Sequence, residues 1–139
     1  MASWLPRTHI PGQQVSVTRT TTPLLPGASG LLDIPGLGRL GHFLAVSTDA
    51  PAWLSFYSAA AAREADGSRP LTQDPTPGSG VLLDLATTTA ALTITAPPGG
   101  TYFSIEIAGA APVLRALVRN TGSSQAAIAV TVTAVVLAP

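Results

Sequence analysis

The chain has 139 residues and a formal net charge of zero. Charged residues make up 10% of it, against about 25% in typical soluble domains. All seven basic residues are arginines and there is no cysteine, which excludes disulfides, thiolate chemistry, a phosphate-loop lysine and a Schiff-base lysine. Because the arginines are scattered along the chain, no nucleic-acid surface is expected.

Residues 1–13 show neither strand nor helix periodicity. We expect them to form an extended arm, restricted by Pro6 and Pro11, ahead of one domain that covers residues 14–139. The apolar side chains of this arm are Trp4, Leu5 and Ile10. Apolar side chains of this size are costly to leave in water, so the arm either packs on its own domain or anchors on a neighbouring subunit.

Short runs of alternating apolar residues follow, separated by glycine and proline. The predicted strands cover residues 14–22, 30–34, 42–48, 52–58, 81–86, 92–96, 102–108, 113–119 and 126–137. The alanine-rich residues 58–66 predict one or two helical turns. Short strands with frequent turn signals and almost no helix predict an all-β fold, a single antiparallel β-sandwich that is jelly-roll-like or immunoglobulin-like.

Two turn signals are expected to join strands that pair with each other. Residues 49–51, Asp-Ala-Pro, separate strands 42–48 and 52–58, and residues 120–123, Asn-Thr-Gly-Ser, predict a hairpin-type turn before the last strand. In strand 42–48 the alternation predicts two faces. One face carries Phe43, Ala45 and Ser47, and the other carries Leu44 and Val46.

The last strand is the most apolar stretch of the chain. It is too short to cross a bilayer, and the N-terminal residues lack the pattern of a signal peptide, so no membrane association is expected. Its segment Ile128 to Leu137 is strongly β-forming and uncharged, and an exposed edge of that kind would aggregate. We therefore expect this strand to be central in a sheet or covered by a partner, and the protein to form a homo-oligomer.

No residue pattern matches a catalytic or metal-binding motif. The strings Gly27-Ala28-Ser29-Gly30 and Gly78-Ser79-Gly80 have the wrong spacing for a nucleophile elbow. The two histidines lie far apart in the sequence, and the loop aspartates lack the spacing of a calcium loop. The sequence therefore predicts no enzymatic activity, no metal and no cofactor.

Two arginines and two aspartates fall close together around a stretch rich in proline and glycine, residues 67–80. They are Arg63, Asp66, Arg69 and Asp74. Arginine forks and carboxylates can satisfy the unpaired backbone groups of such a loop, which predicts a structural clasp. The alternative interpretation is a binding patch.

The residues around this set resemble a known group of proteins. The motifs that carry the resemblance are the run Tyr57 to Arg63, Asp66, Arg69-Pro70, Asp74-Pro75, Gly80-Val81-Leu82 and Val118-Arg119-Asn120-Thr121, followed by an alternating Ala-Val-Thr strand. Together they are similar to small β-sandwich proteins encoded among the structural genes of tailed bacteriophages, over roughly residues 40–137. The resemblance implies a virion component of the tail, baseplate or fibre, or a capsid decoration (cement) protein. It also implies location in the virion, other virion proteins as partners, and no catalytic residues.

A second class of function stays open beside this one. This is a β-sandwich module that binds carbohydrate or a host surface. Trp53, Tyr57 and Tyr102 would offer stacking faces in such a protein.

Overall fold

A computed structural model describes residues 12–97, 100–106 and 111–139. Within these residues the chain forms nine strands and one helix. In chain order they are β1 (Gln13–Thr20), β2 (Ser29–Pro35), β3 (Leu40–Thr48), β4 (Ala52–Tyr57), α1 (Ala60–Asp66), β5 (Val81–Ala86), β6 (Thr93–Thr95), β7 (Thr101–Phe103), β8 (Val113–Asn120) and β9 (Ala129–Ala138). No helix in this part of the chain is long and apolar enough to cross a membrane.

The strands form two antiparallel sheets that enclose one core, which confirms the predicted all-β sandwich. The five-stranded sheet has the order β1-β9-β3-β6, with β7 also paired to β3, and the four-stranded sheet has the order β2-β8-β4-β5. Phe43 of the first sheet contacts Phe56 of the second and Tyr102 of its own sheet, with ring centroids 5.1 and 5.0 Å apart. Contacts between rings at such distances add to the stabilisation from their burial.

The two predicted turns connect different sheets. β3 and β4 lie in different sheets, and so do β8 and β9, so the expectation that each turn joins a pair of hydrogen-bonded strands is wrong. Both turns are instead corners at which the chain crosses the sandwich. The side-chain amide of Asn120 holds the second corner, because it donates to the carbonyl oxygens of Leu24 and Ser124 at 2.8 and 2.9 Å.

A β-bulge in β3 changes the predicted faces of that strand. The register with β9 shifts between Phe43 and Ala45. Because a bulge adds one residue to the strand, Phe43 and Val46 both face the core and Leu44 is 37% exposed. The prediction that Phe43 shares a face with Ala45, opposite Val46, is therefore wrong.

The last strand, β9, lies in the middle of the five-stranded sheet, between β1 and β3. This confirms the expectation that it is central or covered. Val130, Val132 and Val136 point into the core and are at most 2% exposed. Since the strand is paired on both edges within its own chain, it gives no argument for an oligomer.

Tyr102 ties β7 to the segment before β3. Its buried hydroxyl donates to the carbonyl oxygen of Leu37 at 2.6 Å, and burial raises its pKa to about 12. A Cβ on Gly41 would collide with this hydroxyl and with the carbonyl oxygen of Val135, so the close approach of the ring requires glycine there.

β1 begins at Gln13, one residue before the predicted start of the domain. The amide of Gly12 already donates to the carbonyl oxygen of Val136 at 2.8 Å. The rest of the predicted arm, residues 1–11 with Trp4, lies outside the described residues. So do residues 107 and 108 at the end of the strand predicted over 102–108.

Candidate functional site

Helix α1 and the loop after it cover the outer face of the four-stranded sheet around β4. Every residue of β4 is buried, although alternate side chains of a strand point to opposite faces. Leu54 and Phe56 belong to the core, whereas Trp53, Ser55 and Tyr57 point to the other side. We call this second side, with the helix and loop above it, the covered face.

The helix is short and depends on the sheet for its stability. Its alanines favour helix, but Ala59 at its N-cap offers no side-chain cap, and seven residues are marginal in isolation. The hydroxyl of Tyr57 donates to Asp66 at 2.6 Å and so fixes the last residue of the helix to β4. The loop returns at Gly80, whose φ of +90° and whose closeness to Ala62 exclude a larger residue.

Arg69, in the loop, joins the end of the helix to the sheet. Its Nε and Nη2 donate to the Asp66 carboxylate at 2.8 and 3.1 Å, and its Nη1 donates to Asp84 of β5 at 3.0 Å. Nη1 also donates to the carbonyl oxygen of Gln73 at 2.8 Å, and the side chain is only 6% exposed. Such forked, charge-assisted hydrogen bonds fix geometry as well as adding stability.

Arg119 of β8 lies in the same cluster. Its guanidinium carbon is 3.5 Å from the centroid of the Trp53 ring, and that of Arg69 is 5.0 Å from it. Nη1 of Arg119 donates to the hydroxyl of Ser55 at 3.1 Å, and Nη2 lies 3.8 Å from the Asp66 carboxylate without a hydrogen-bond partner among the described residues. A cation over a desolvated indole ring is stabilising by up to about 2 kcal/mol.

Asp84 accepts hydrogen bonds from three sides. Trp53 Nε1 and the Ser55 hydroxyl each donate to its Oδ1 at 2.6 Å, while Arg69 donates to its Oδ2. Burial alone would raise the pKa of Asp84, but the hydrogen bonds from Arg69, Ser55 and Trp53 outweigh burial and hold it below the ordinary value. This carboxyl is therefore ionised at neutral pH.

The pKa values of the neighbouring groups also shift away from neutral pH. Burial alone would raise the pKa of Asp66, but hydrogen bonds from Arg69 and Tyr57 lower it. The hydrogen bond to Asp66 raises the pKa of Arg69 further, and burial raises that of Tyr57. None of these groups exchanges a proton near pH 7, so the cluster is suited to holding structure together rather than to acid–base chemistry.

A second ion network joins the helix to β2 and β8. Arg63 donates to Asp33 of β2 at 2.7 Å, Arg115 of β8 lies 3.0 Å from the same carboxylate, and Nε of Arg115 donates to Glu106 at 2.8 Å. Arg63 also donates to two backbone carbonyls of the underlying strands at 3.3 Å. Burial would raise the pKa of Asp33, but hydrogen bonds from Arg63 and Arg115 lower it, and the hydrogen bond from Arg115 lowers the pKa of Glu106.

The four residues of the predicted clasp do not form one group. Asp66 and Arg69 are paired, whereas Arg63 belongs to the second network with Asp33. Asp74 is exposed and makes no hydrogen bond or ion pair within the described ranges. A polar surface cavity of about 300 Å³ borders the pair and is lined in part by Gln73. The charged groups at its edge already bind each other, which favours the clasp interpretation over the binding patch.

Two charged members of the cluster, Asp84 and Arg119, were not predicted from the sequence. The register of the sheet places them in the cluster, because Ser55 lies opposite Asp84 and Trp53 lies opposite Arg119. The alternation of β4 gives the face of Trp53, but the residues opposite become known only when the pairing of strands is known.

The three aromatic residues predicted as stacking faces are buried. Trp53 is 4% exposed, and Tyr57 and Tyr102 are each 1% exposed. They cannot stack on a sugar ring in this conformation, so the expectation that they offer exposed faces is wrong.

The outer face of the five-stranded sheet is exposed and has a different composition. Register places hydroxyl side chains in rows across β1, β9, β3 and β6, at Ser16, Thr18, Ser47, Thr93, Thr95, Thr131 and Thr133. Ser16 hydrogen-bonds Thr133 at 2.8 Å and Thr18 hydrogen-bonds Thr131 at 2.7 Å. We call this surface the hydroxyl face.

One end of the hydroxyl face is apolar. Leu40 and Phe103 stand opposite each other and are 37% and 43% exposed, and Leu137 on β9 is 37% exposed. The outward positions of these strands carry no Asp, Glu, Lys or Arg among the residues described. His42 on this face shares a hydrogen bond of 3.0 Å with Thr101.

Among the described residues, no three His, Asp or Glu side chains lie close enough together to hold a metal ion. No protein-family model matches the chain, and no curated protein matches it significantly.

Proposed function

We propose that the protein is a structural subunit of a tailed-bacteriophage particle. It is a tail, baseplate or fibre component, with capsid decoration as the alternative position, and it acts by assembling with copies of itself and with other virion proteins. The observation that carries this proposal is the hydroxyl face, a broad exposed surface without charged side chains.

The composition of the hydroxyl face suits protein–protein contact. The centres of protein interfaces are depleted in charged residues, because each buried charge must be desolvated. Hydroxyl groups can exchange hydrogen bonds with water for hydrogen bonds with a partner at little cost, and Leu40, Phe103 and Leu137 add apolar area at one end. Four of the seven arginines are instead engaged in the two ion networks beside the helix.

The resemblance to phage structural proteins supports the same proposal. Tyr57, Asp66, Arg69 and Arg119 carry part of that resemblance, and all four lie in the cluster of the covered face. Asn120 holds a corner between the sheets. These five residues of the resemblance therefore help to hold the fold together.

Quantitative mass spectrometry of purified particles tests the proposal. A structural subunit should be present at a fixed copy number relative to other virion proteins, and it should resist removal by washing in high salt. If the protein is missing from particles, or if its amount varies between preparations, the proposal is wrong. Saturable binding on a glycan array would favour the carbohydrate-binding alternative instead.

A further inference from the structure

A groove opens between the two sheets at the end of the sandwich where β1 begins. Its volume is about 300 Å³, and its walls include Gln13 and Val15 of β1, Val136 of β9 and Pro112 ahead of β8. Gly36, Gly38, Ala111 and Pro139 also line it, and none of these lining residues within the described ranges has a charged side chain. The groove is therefore suited to an apolar side chain.

The groove depends on the glycines that follow β2. Gly36 and Gly38 have φ values of +84° and +67°, which other residues rarely adopt. A Cβ on Gly38 would come within 2.7 Å of the Val136 side chain. The backbone therefore runs so close to β9 that a side chain on Gly38 has no room, and the bare backbone forms this wall of the groove.

We propose that the groove of each subunit binds the N-terminal arm, residues 1–11, of a second copy of this chain, with Trp4 as its anchor. An apolar cavity of about 150 Å³ is enough to hold a benzene-sized ring, so a groove of twice that volume can accept an indole. The arm is apolar at Trp4, Leu5 and Ile10 and matches the uncharged lining.

The arm of a second copy fits this groove better than the arm of the same chain. Gly12 is bound to Val136, and Gln13 lines the groove, so each arm starts at the rim of its own groove. Trp4 precedes Gly12 by eight residues, and an extended chain of that length spans roughly 26–29 Å. Pro6 and Pro11 favour extended backbone for themselves and for the residues before them, and a fully extended arm of this length would place the indole far from its own rim.

An arm that leaves one groove and enters the next makes a head-to-tail contact. Such contacts close into rings or continue as filaments, depending on the rotation between neighbours. The inference rests on the proposed function, since arms can exchange only where copies of the chain assemble.

Disulfide trapping tests the contact, because the chain has no cysteine of its own. Leu5→Cys leaves the Trp4 anchor in place, and a Gln13→Cys variant supplies the partner thiol in the groove. Gln14→Cys is the matched control, since Gln13 and Gln14 are both exposed on β1 but point to opposite faces. Because a disulfide needs the two Cβ atoms about 4 Å apart, mixed Leu5→Cys and Gln13→Cys chains should cross-link on the order of ten times faster than Leu5→Cys and Gln14→Cys chains.

Equal rates in the two mixtures, or no cross-linking in either, would overturn the proposal. So would a purely intramolecular disulfide in a chain that carries both Leu5→Cys and Gln13→Cys, because it would place the arm in its own groove. As a second measurement, Trp4→Ala should lower the molar mass by light scattering, whereas Thr8→Ala should not. If the protein is in particles at a fixed copy number but fails these tests, the arm contact alone is wrong.

Discussion

The two outer faces of this sandwich differ in what covers them. On the four-stranded sheet, a helix and a loop cover Trp53, Ser55 and Tyr57, and ion pairs hold that cover in place. On the five-stranded sheet, hydroxyl groups such as those of Thr18 and Thr131 are exposed and partly satisfy each other across the strands. One face is covered by the chain's own helix and loop, whereas the other is exposed and can contact a partner.

The difference shows where this chain places its few charged residues. Asp33, Asp66, Asp84 and Glu106 all pair with arginines on or beside the covered face. Arg63, Arg69 and Arg119 are at most 10% exposed, and because buried charges need partners with good geometry, the fold is sensitive to the loss of those arginines' partners. The hydroxyl face has no such dependence, and we expect changes there to alter assembly more than stability.

Acid should produce the largest effect, because it discharges all four carboxylates together. Their pKa values in the folded protein are lowered, whereas in the unfolded chain they are about 3.9 for Asp and 4.3 for Glu. Their contribution is therefore complete above the unfolded values and is lost as the pH falls through the folded ones. Urea unfolding from neutral pH downward should show a constant free energy of unfolding until about pH 5 and a steep decrease below about pH 4. A free energy independent of pH across this range would contradict the role given to the ion networks.

Arg69→Ala should have the next largest effect. It leaves Asp66 and Asp84 without their guanidinium partner in a poorly hydrated site, so we expect a loss of about 3 kcal/mol in the free energy of unfolding. Thermal melting would detect it, and the acid dependence of the variant should be shallower than that of the wild type. Arg19→Ala, at an exposed position of β1, is the control and should change stability by less than about 0.5 kcal/mol. A variant that keeps wild-type stability but loses a partner would favour the binding-patch interpretation.

Thr131→Arg should have the smallest effect on stability and a clear effect on assembly. It removes a cross-strand hydrogen bond to Thr18 and places a charge in the middle of the hydroxyl face, at a cost of about 0.5 kcal/mol to the fold. Light scattering should show a lower molar mass than for Thr72→Arg, a control on the exposed loop. If both variants assemble like the wild type, the hydroxyl face is not an interface.

The strands could be predicted from the sequence, but their division between sheets could not. Alternation and turn residues gave nearly correct bounds for β2, β4, β5 and β8. The turn residues at 49–51 and 120–123 have the same chemistry whether the chain returns to the same sheet or crosses to the other. The crossings are fixed by distant contacts such as Asn120 to Leu24.

The sequence predicted only part of the candidate site, because a sequence pattern can suggest local pairings but not the pairing of strands. Asp66 and Arg69 are three residues apart, so their pairing is local and a sequence pattern can suggest it. Asp84 and Arg119 join them only through the pairing of three strands, which depends on the whole sheet. Asp74 had the right chemistry and the right neighbourhood, but the loop places it in solvent.

The central position of β9 has a consequence for biosynthesis. This strand is the last in chain order, and both β1 and β3 need it as a partner; Ser16 and Thr133, for example, are 117 positions apart. Long-range pairings of this kind fold slowly, and a ribosome adds roughly 5–20 residues per second. The rows of hydroxyls therefore cannot form on a nascent chain before β9 emerges. A nascent chain without β9 therefore lacks the surface that we propose for assembly.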